Sequence, residues 1–273
     1  MLVAIDIGNT NIVIGFMEDG EANATYRMTT KTRRTSDEYA VQLATFLSMS
    51  GYRPDDVDDV IISSVVPKVM HAFRSSIVKY LGIEPVVVGP GLKCGINLRV
   101  DDPKSVGADR IADCAGAYYT YGGPVLVIDF GTATTYDYVD ANGTFCAGTI
   151  SYGAESAANS LWSQTAQLPE VEIARPDTTL ATTTKTAMQA GVYYAFLGGV
   201  EYSIRRFREE LGVDFKVVAT GGLGSVFCDG TDEIDVYDRN LIFKGLEIIY
   251  ERYLKSLPRN RPAEQASGSD RRR

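Results

Sequence analysis

The sequence contains a single histidine, His71, and a single tryptophan, Trp162. One histidine excludes a multi-histidine metal centre and leaves little room for a Ser-His-Asp triad. His71 falls in an expected helix from Pro67 to Leu81, as a surface or partly buried residue. Acid–base chemistry therefore falls to carboxylates. The four cysteines, Cys94, Cys114, Cys146 and Cys228, form no C-x-x-C pair. That excludes a zinc ribbon and a thioredoxin-type motif, and the thiols read as reduced core residues of a cytoplasmic protein. No run of about 18 apolar residues occurs, so no membrane-spanning helix is expected. Asp6 interrupts the apolar N-terminal stretch and no basic residue precedes it, which argues against a signal peptide. No G-x-x-x-x-G-K-[ST] occurs, so any ATP site is built without a P-loop.

Positive charge is also scarce. The 273 residues carry 27 Lys and Arg against 35 Asp and Glu, a formal net charge of -8. A broad nucleic-acid-binding face is not expected. Residues 258–273 hold five Arg and two acids, a net of +3, so residues 1–257 carry -11. This last segment lacks apolar periodicity and reads as a disordered basic tail.

What is present is a soluble globular composition, 45% hydrophobic and 23% charged. It is organised by an internal repeat. Leu2-Val-Ala-Ile-Asp6-Ile-Gly8-Asn-Thr10-Asn11 returns as Val125-Leu-Val-Ile-Asp129-Phe-Gly131-Thr-Ala133-Thr134, and the step from Asp6 to Asp129 is 123 positions. Gly20 and Gly143 match at the same step. Each copy reads as strand, Asp-x-Gly, strand, and a hairpin turn at Asp19-Gly20 or Asn142-Gly143. Two similar α/β lobes are expected, joined near residues 117–123.

Within the lobes, strands and helices alternate. Thr35-Ser-Asp-Glu38 is a capping box ahead of a helical stripe that ends at Gly51. Val60–Val65, Pro85–Val88 and Phe215–Thr220 read as strands. Asp109–Tyr119, Thr184–Leu211 and Asn240–Leu254 read as helices, the second open to a bend at Gly198-Gly199.

An Asp at a strand end, followed by a glycine turn with hydroxyl and amide donors, suits phosphate held through a cation. Asp6 therefore implies Mg²⁺, which takes one or two carboxylates plus phosphate oxygens. Ordinary β-hairpins explain one such motif; two in register point to a nucleotide gripped from both sides. Gly221-Gly222 ends a strand and suits a flat adenine or ribose against exposed backbone, or is a plain strand-to-helix turn. Asp109, near a helix N-terminus, can accept a hydroxyl proton, and Arg110 can hold a carboxylate; from spacing alone, a helix N-terminal charge with a surface ion pair explains them slightly better.

Taken together, Asp6-Ile-Gly-Asn-Thr-Asn11, Gly107-Ala-Asp-Arg110 and Asp129-Phe-Gly-Thr-Ala133 resemble the type III pantothenate kinase family over about residues 1–255. The resemblance implies duplicated ribonuclease H-like lobes, the actin-like ATPase fold, with a cleft between them. The lobes would span 1–117 and 118–257. It implies ATP-dependent phosphorylation of the 4′-hydroxyl of pantothenate, the first step towards coenzyme A. The ATP loop would be Asp6, Ile7, Gly8, Asn9, Thr10, Asn11, Ile12 and Val13, with Thr132, Gly221 and Gly222 as further contacts. Gly107, Ala108, Asp109 and Arg110 would bind pantothenate, with Asp109 as general base. Thr184 would contact substrate, Asp129 would hold K⁺ or NH₄⁺, and Asp6 would lie near Mg²⁺. Family members are similar homodimers with the substrate site at the subunit interface. Two positions depart from the family pattern: Val100 replaces a frequent aromatic residue, and Thr183 replaces a frequent Asn. Another superfamily phosphotransferase, acting on a sugar or acetate, and a non-catalytic protein resembling the Bvg accessory factor branch remain as other readings.

Overall fold

The apolar run Leu2–Ile7 forms strand β1, and Val3, Ala4 and Ile5 are wholly buried in it. A strand buried on both faces needs neighbours on both edges. They are β2 (Asn11–Glu18) on one side and β4 (Asp59–Ser64) on the other. With β3 (Glu21–Thr29) and β5 (Val86–Val87) they form a five-stranded sheet in the order β3-β2-β1-β4-β5. The computed structural model describes residues 1–165 and 168–257, and the expected tail at 258–273 lies outside them.

Helices α1 (Ser36–Met49) and α2 (Pro67–Leu81) supply Leu43, Leu47, Phe73 and Ile77 to the core against this sheet. The capping box forms as expected. Thr35 accepts from Glu38 N at 3.3 Å, and Thr35 N donates to Glu38 Oε2 at 2.7 Å. His71 is exposed on α2.

The second sheet runs β11-β10-β7-β8-β9-β6. Its strands are β6 (Asn97–Leu98), β7 (Val125–Phe130), β8 (Ala133–Val139), β9 (Thr144–Tyr152), β10 (Lys216–Thr220) and β11 (Val236–Tyr237). Its helices are α3 (Ala108–Tyr121), α4 (Ala154–Ser163), α5 (Thr184–Leu211) and α6 (Gly224–Cys228), and α7 (Leu241–Ser256) closes the described chain. The α5 helix runs through Gly198-Gly199 without a break. Its inner face places Tyr193, Leu197, Val200 and Ile204 in a core with Ile128, Phe130 and Phe227. Of the cysteines only Cys114 is buried; Cys94, Cys146 and Cys228 are half-buried, and all four are free thiols. The expectation of four core thiols therefore holds for one.

The repeat survives as strand pairing. In each copy three successive strands, β1-β2-β3 or β7-β8-β9, pair antiparallel, and β4 or β10 runs parallel to the first of them. The lengths differ in a compensating way. Ile7 pairs with Ile12 across a four-residue turn, whereas Phe130 pairs with Thr134 across three residues. The next turn repairs the loss. Glu18 pairs with Glu21 around Asp19-Gly20, both at positive φ (53° and 85°). In the second copy Asp140 N donates to Thr144 O around Ala141-Asn142-Gly143, one residue more. The 123-residue step is thus restored, and each copy carries a bulge at its partner position, Asn23 and Cys146.

The chain divides into two compact units. One takes residues 1–95, 107–112 and the segment from Phe243; the other takes 96–106 and 113–242. The repeat sets a break near residue 117; relative to it, residues 96–106 and 113–117 go to the second unit, and α7 from Phe243 goes to the first. β6 belongs with the second unit because it pairs with β9. α7 belongs with the first: Phe243 covers Gly15, and Tyr250 donates to Asp59 Oδ2 at 2.8 Å. Gly245 lets α7 pack on the first turns of α3, since a Cβ there would lie 1.8 Å from Ala112 O. Gly245→Ala is therefore expected to destabilise the protein by about 1–3 kcal/mol, the usual cost of overpacking. Urea unfolding that shows no loss would contradict this packing.

Candidate functional site

In the first unit, Asp6 lies at the end of β1, beside Ser63 on β4 in parallel register. The Ser63 hydroxyl is wholly buried and has no hydrogen-bond partner among the described residues. Beyond Asp6 the chain turns through Gly8, where Gly8 N donates to Asn11 O at 3.0 Å. Of the loop residues, Ile7 and Ile12 are buried, Gly8, Thr10, Asn11 and Val13 are half-buried, and Asn9 is exposed. A carboxylate, a buried hydroxyl and backbone carbonyls are oxygen groups that could hold a hard cation which keeps other ligands. Among the described residues no group of three or more His, Cys, Asp or Glu could hold a metal alone.

Gly107–Arg110 belong to the same unit. Gly107 O accepts from Ile111 N at 3.2 Å, so α3 starts here and Asp109 sits in its first turn. The carboxylate folds back over Gly107: a Cβ there would lie 2.3 Å from Asp109 Oδ1 and 3.5 Å from Val65 Cγ1. Val65 N in turn donates to Ile7 O at 3.1 Å, which ties this helix start to the end of β1. Asp109 Oδ1 accepts from Arg110 N at 2.8 Å. Burial pushes the Asp109 carboxyl above its ordinary value; the Arg110 backbone bond and guanidinium pull it down by less. Asp109 is thus a stronger base than a solvated carboxylate, held beside a guanidinium.

In the second unit, Asp129 ends β7 and pairs in register with Thr220 on β10 and Thr135 on β8. A Cβ on Gly131 would lie 3.0 Å from Asp129 Oδ2 and 3.3 Å from Ala133 O, so a carboxylate and a carbonyl face one spot. A carboxylate oxygen and a carbonyl oxygen are ligand types that an alkali cation takes. Gly221, at φ +91°, closes the other side: a Cβ would lie 2.4 Å from Asp129 Oδ1 and 2.6 Å from Phe130 N. Tyr237 OH donates to Gly221 O at 3.0 Å and holds that turn. Gly222 and Thr132 are exposed. Thr184 is exposed on the first turn of α5. Thr183 is the N-cap of α5, accepting from Thr186 N at 3.2 Å. Asn and Thr both serve as N-caps, which explains why Thr is tolerated at this position.

The family model of type III pantothenate kinase matches residues 2–206. The chain belongs to the type III pantothenate kinase family. A relative of that description from Bifidobacterium longum (strain DJO10A) is 66% identical over 256 residues, 93% of this chain and all of that one. One from Agathobacter rectalis is 48% identical and covers 92% of this chain and 97% of its own. Among solved structures, the activator of 2-hydroxyisocaproyl-CoA dehydratase from Clostridium difficile, with bound ADPNP, aligns at TM-score 0.56. It is 14% identical and covers 93% of this chain and 96% of that one. Component A of the Acidaminococcus fermentans (R)-2-hydroxyglutaryl-CoA dehydratase aligns at 0.54, with 14% identity and 93% and 98% coverage. These likenesses show the fold, a two-lobed α/β architecture of the actin-like kind.

Sequence reasoning singles out Asp6, Asp109 and Asp129. It missed Thr30, Gly153 and Tyr237, which touch the loops from elsewhere in each unit. The repeat itself carried a signal for two of them, since the 123-residue step maps Thr30 onto Gly153. If Asp109 acts as a base, it works deprotonated, so kcat/KM for the acceptor falls as pH falls through its raised pKa. The acid limb is expected above the ordinary carboxylate range; a limb at or below that range would contradict the assignment.

Proposed function

We propose that this protein transfers the γ-phosphoryl group of ATP to the 4′-hydroxyl of pantothenate, the first step of coenzyme A biosynthesis. Membership of the family carries the reading, with Gly107-Ala-Asp-Arg110 at the start of α3 as the observation that supports it most directly. Asp109 accepts the hydroxyl proton, and Arg110 holds the pantothenate carboxylate as a fork. The loop from Asp6 to Val13 binds the ATP phosphates with backbone groups, and Thr132, Gly221 and Gly222 complete the nucleotide contacts. Asp6 would hold the Mg²⁺ that comes with ATP, and that ion would supply positive charge beside the phosphoryl group. K⁺ or NH₄⁺ fits the oxygen-lined spot at Asp129.

We also propose that the protein is a homodimer. The outer face of α5 exposes Tyr194 (39%) and Tyr202 (60%), and β9 ends in exposed Ile150 (61%) and Tyr152 (81%). Between the tyrosines of α5, Gly198 and Gly199 have open space where a Cβ would stand. Glycine in a solvated helix costs about 1 kcal/mol against alanine. A second chain seated closely on this face removes that disadvantage and covers the apolar surface. Thr184, on the same helix, then reaches substrate at the shared surface. Among the described residues no helix is long and apolar enough to cross a membrane. ATP as substrate and four free thiols fit the cytoplasm.

Asp109→Asn keeps the shape and removes the base. Turnover is expected to drop by about 10²–10⁴-fold with the ATP dissociation constant nearly kept. Near-normal kcat would overturn the base assignment. Asp129→Ala is expected to abolish the dependence of rate on K⁺, measured with K⁺ exchanged for Na⁺. A variant still activated by K⁺ would show that the cation sits elsewhere.

A further inference from the structure

The mechanism above leaves unexplained how a four-residue turn of small polar residues keeps one conformation. Residues 8–11 are held at their own ends by the Gly8 N to Asn11 O bond. Two further bonds come from one residue outside the loop. Thr30 follows β3; its hydroxyl donates to Gly8 O at 2.8 Å, and its N–H donates to Thr10 O at 2.9 Å. Thr30 is 7% exposed, so water does not compete well for either bond. Its β-branched side chain is stiff at χ1, which fixes the hydroxyl direction. Arg34 Nη1 donates to Thr29 O at 2.7 Å and anchors the end of β3 just before it.

The geometry has a consequence for phosphate binding. A trans peptide is planar, so its C=O and the next N–H point in opposite directions. Drawing Gly8 O towards Thr30 turns the Asn9 N–H the other way, off β3. A backbone N–H oriented in advance binds an anion without the entropy cost of ordering the loop.

The repeat supplies an internal comparison. Gly153 occupies the position of Thr30 in the second copy, where the turn is one residue shorter. There a Cβ would lie 2.3 Å from Thr132 O and 2.4 Å from Gly131 O. The shorter loop rests directly on bare backbone, and the longer loop is held off by a threonine side chain. Loop length and backing residue have changed together.

We propose that Thr30 is a positioning residue of the phosphate loop, acting on ATP through Gly8 and Thr10; this rests on the ATP-binding reading of residues 6–13. The test compares Thr30→Val, which keeps shape and loses the hydroxyl, with Thr30→Ser, which keeps the hydroxyl. Loss of one such bond is expected to raise the KM and Kd for ATP·Mg by about five- to tenfold. The pantothenate KM and kcat should stay near wild type, because the loop holds ground state and transition state alike. Thr30→Ser should restore ATP affinity. Wild-type ATP affinity in Thr30→Val, equal loss in Thr30→Ser, or equal loss for both substrates would each overturn the proposal. Should Thr30→Val fail to fold, hydrogen exchange on the wild-type protein decides. The Thr30 amide is expected to gain protection on adding ATP·Mg, and unchanged protection contradicts the clasp. A wild-type protein that does not bind ATP·Mg would instead overturn the nucleotide reading itself.

Discussion

The close approach of backbone to backbone beneath two aspartate loops is the constraint on which the rest of this structure depends. Each loop begins where a buried strand ends, with its Asp turned towards oxygen-bearing groups. At Gly221 and Gly153 there is no space for a Cβ, because Asp129, Phe130 and the Gly131 and Thr132 carbonyls already occupy it. The second loop is therefore defined by contact with bare main chain. The first, longer by one residue, is defined by hydrogen bonds from Thr30. Both solutions hold a carboxylate and nearby backbone dipoles in place before any ligand arrives. Preorganisation of this kind lets a loop take an anion without the entropy cost of ordering it.

Much of the fold was legible in the sequence because its signals are local. The Thr35–Glu38 box starts α1, and the limits of α2 and α5 coincide with their apolar periodicity. The duplicated Asp-x-Gly strands pair as two equivalent three-stranded meanders. What was not legible depends on register and on distant segments. A residue lost in one turn and regained in the next leaves the 123-residue step unchanged, so the altered turn geometry is hidden from a simple comparison of positions. The return of α7 to the first unit rests on Gly15 and Gly245 fitting Phe243 and Ala112, which no local pattern encodes. Thr183 looked like a departure from a family pattern and is a helix N-cap in which either residue type functions.

The candidate site shows the same division. Asp6, Asp109 and Asp129 stand at strand and helix ends, where motif spacing marks them. Their environment does not follow from spacing. Asp109 has its carboxyl pushed up because the helix start is buried near Val65, and the adjacent Arg110 only partly offsets this. The overall charge of -8 also works against anionic substrates. In the proposed reading, ATP and pantothenate are held by local groups: loop N–H donors, a bound cation and Arg110.

The proposed phosphoryl transfer gives each of these parts a role. The most direct test is ATP consumption by the purified wild-type protein, measured with and without pantothenate and with and without K⁺. The account predicts rapid consumption only when both are present, with one phosphorylated acceptor formed per ATP used. Consumption that ignores pantothenate, or none under any of the four conditions, would contradict it.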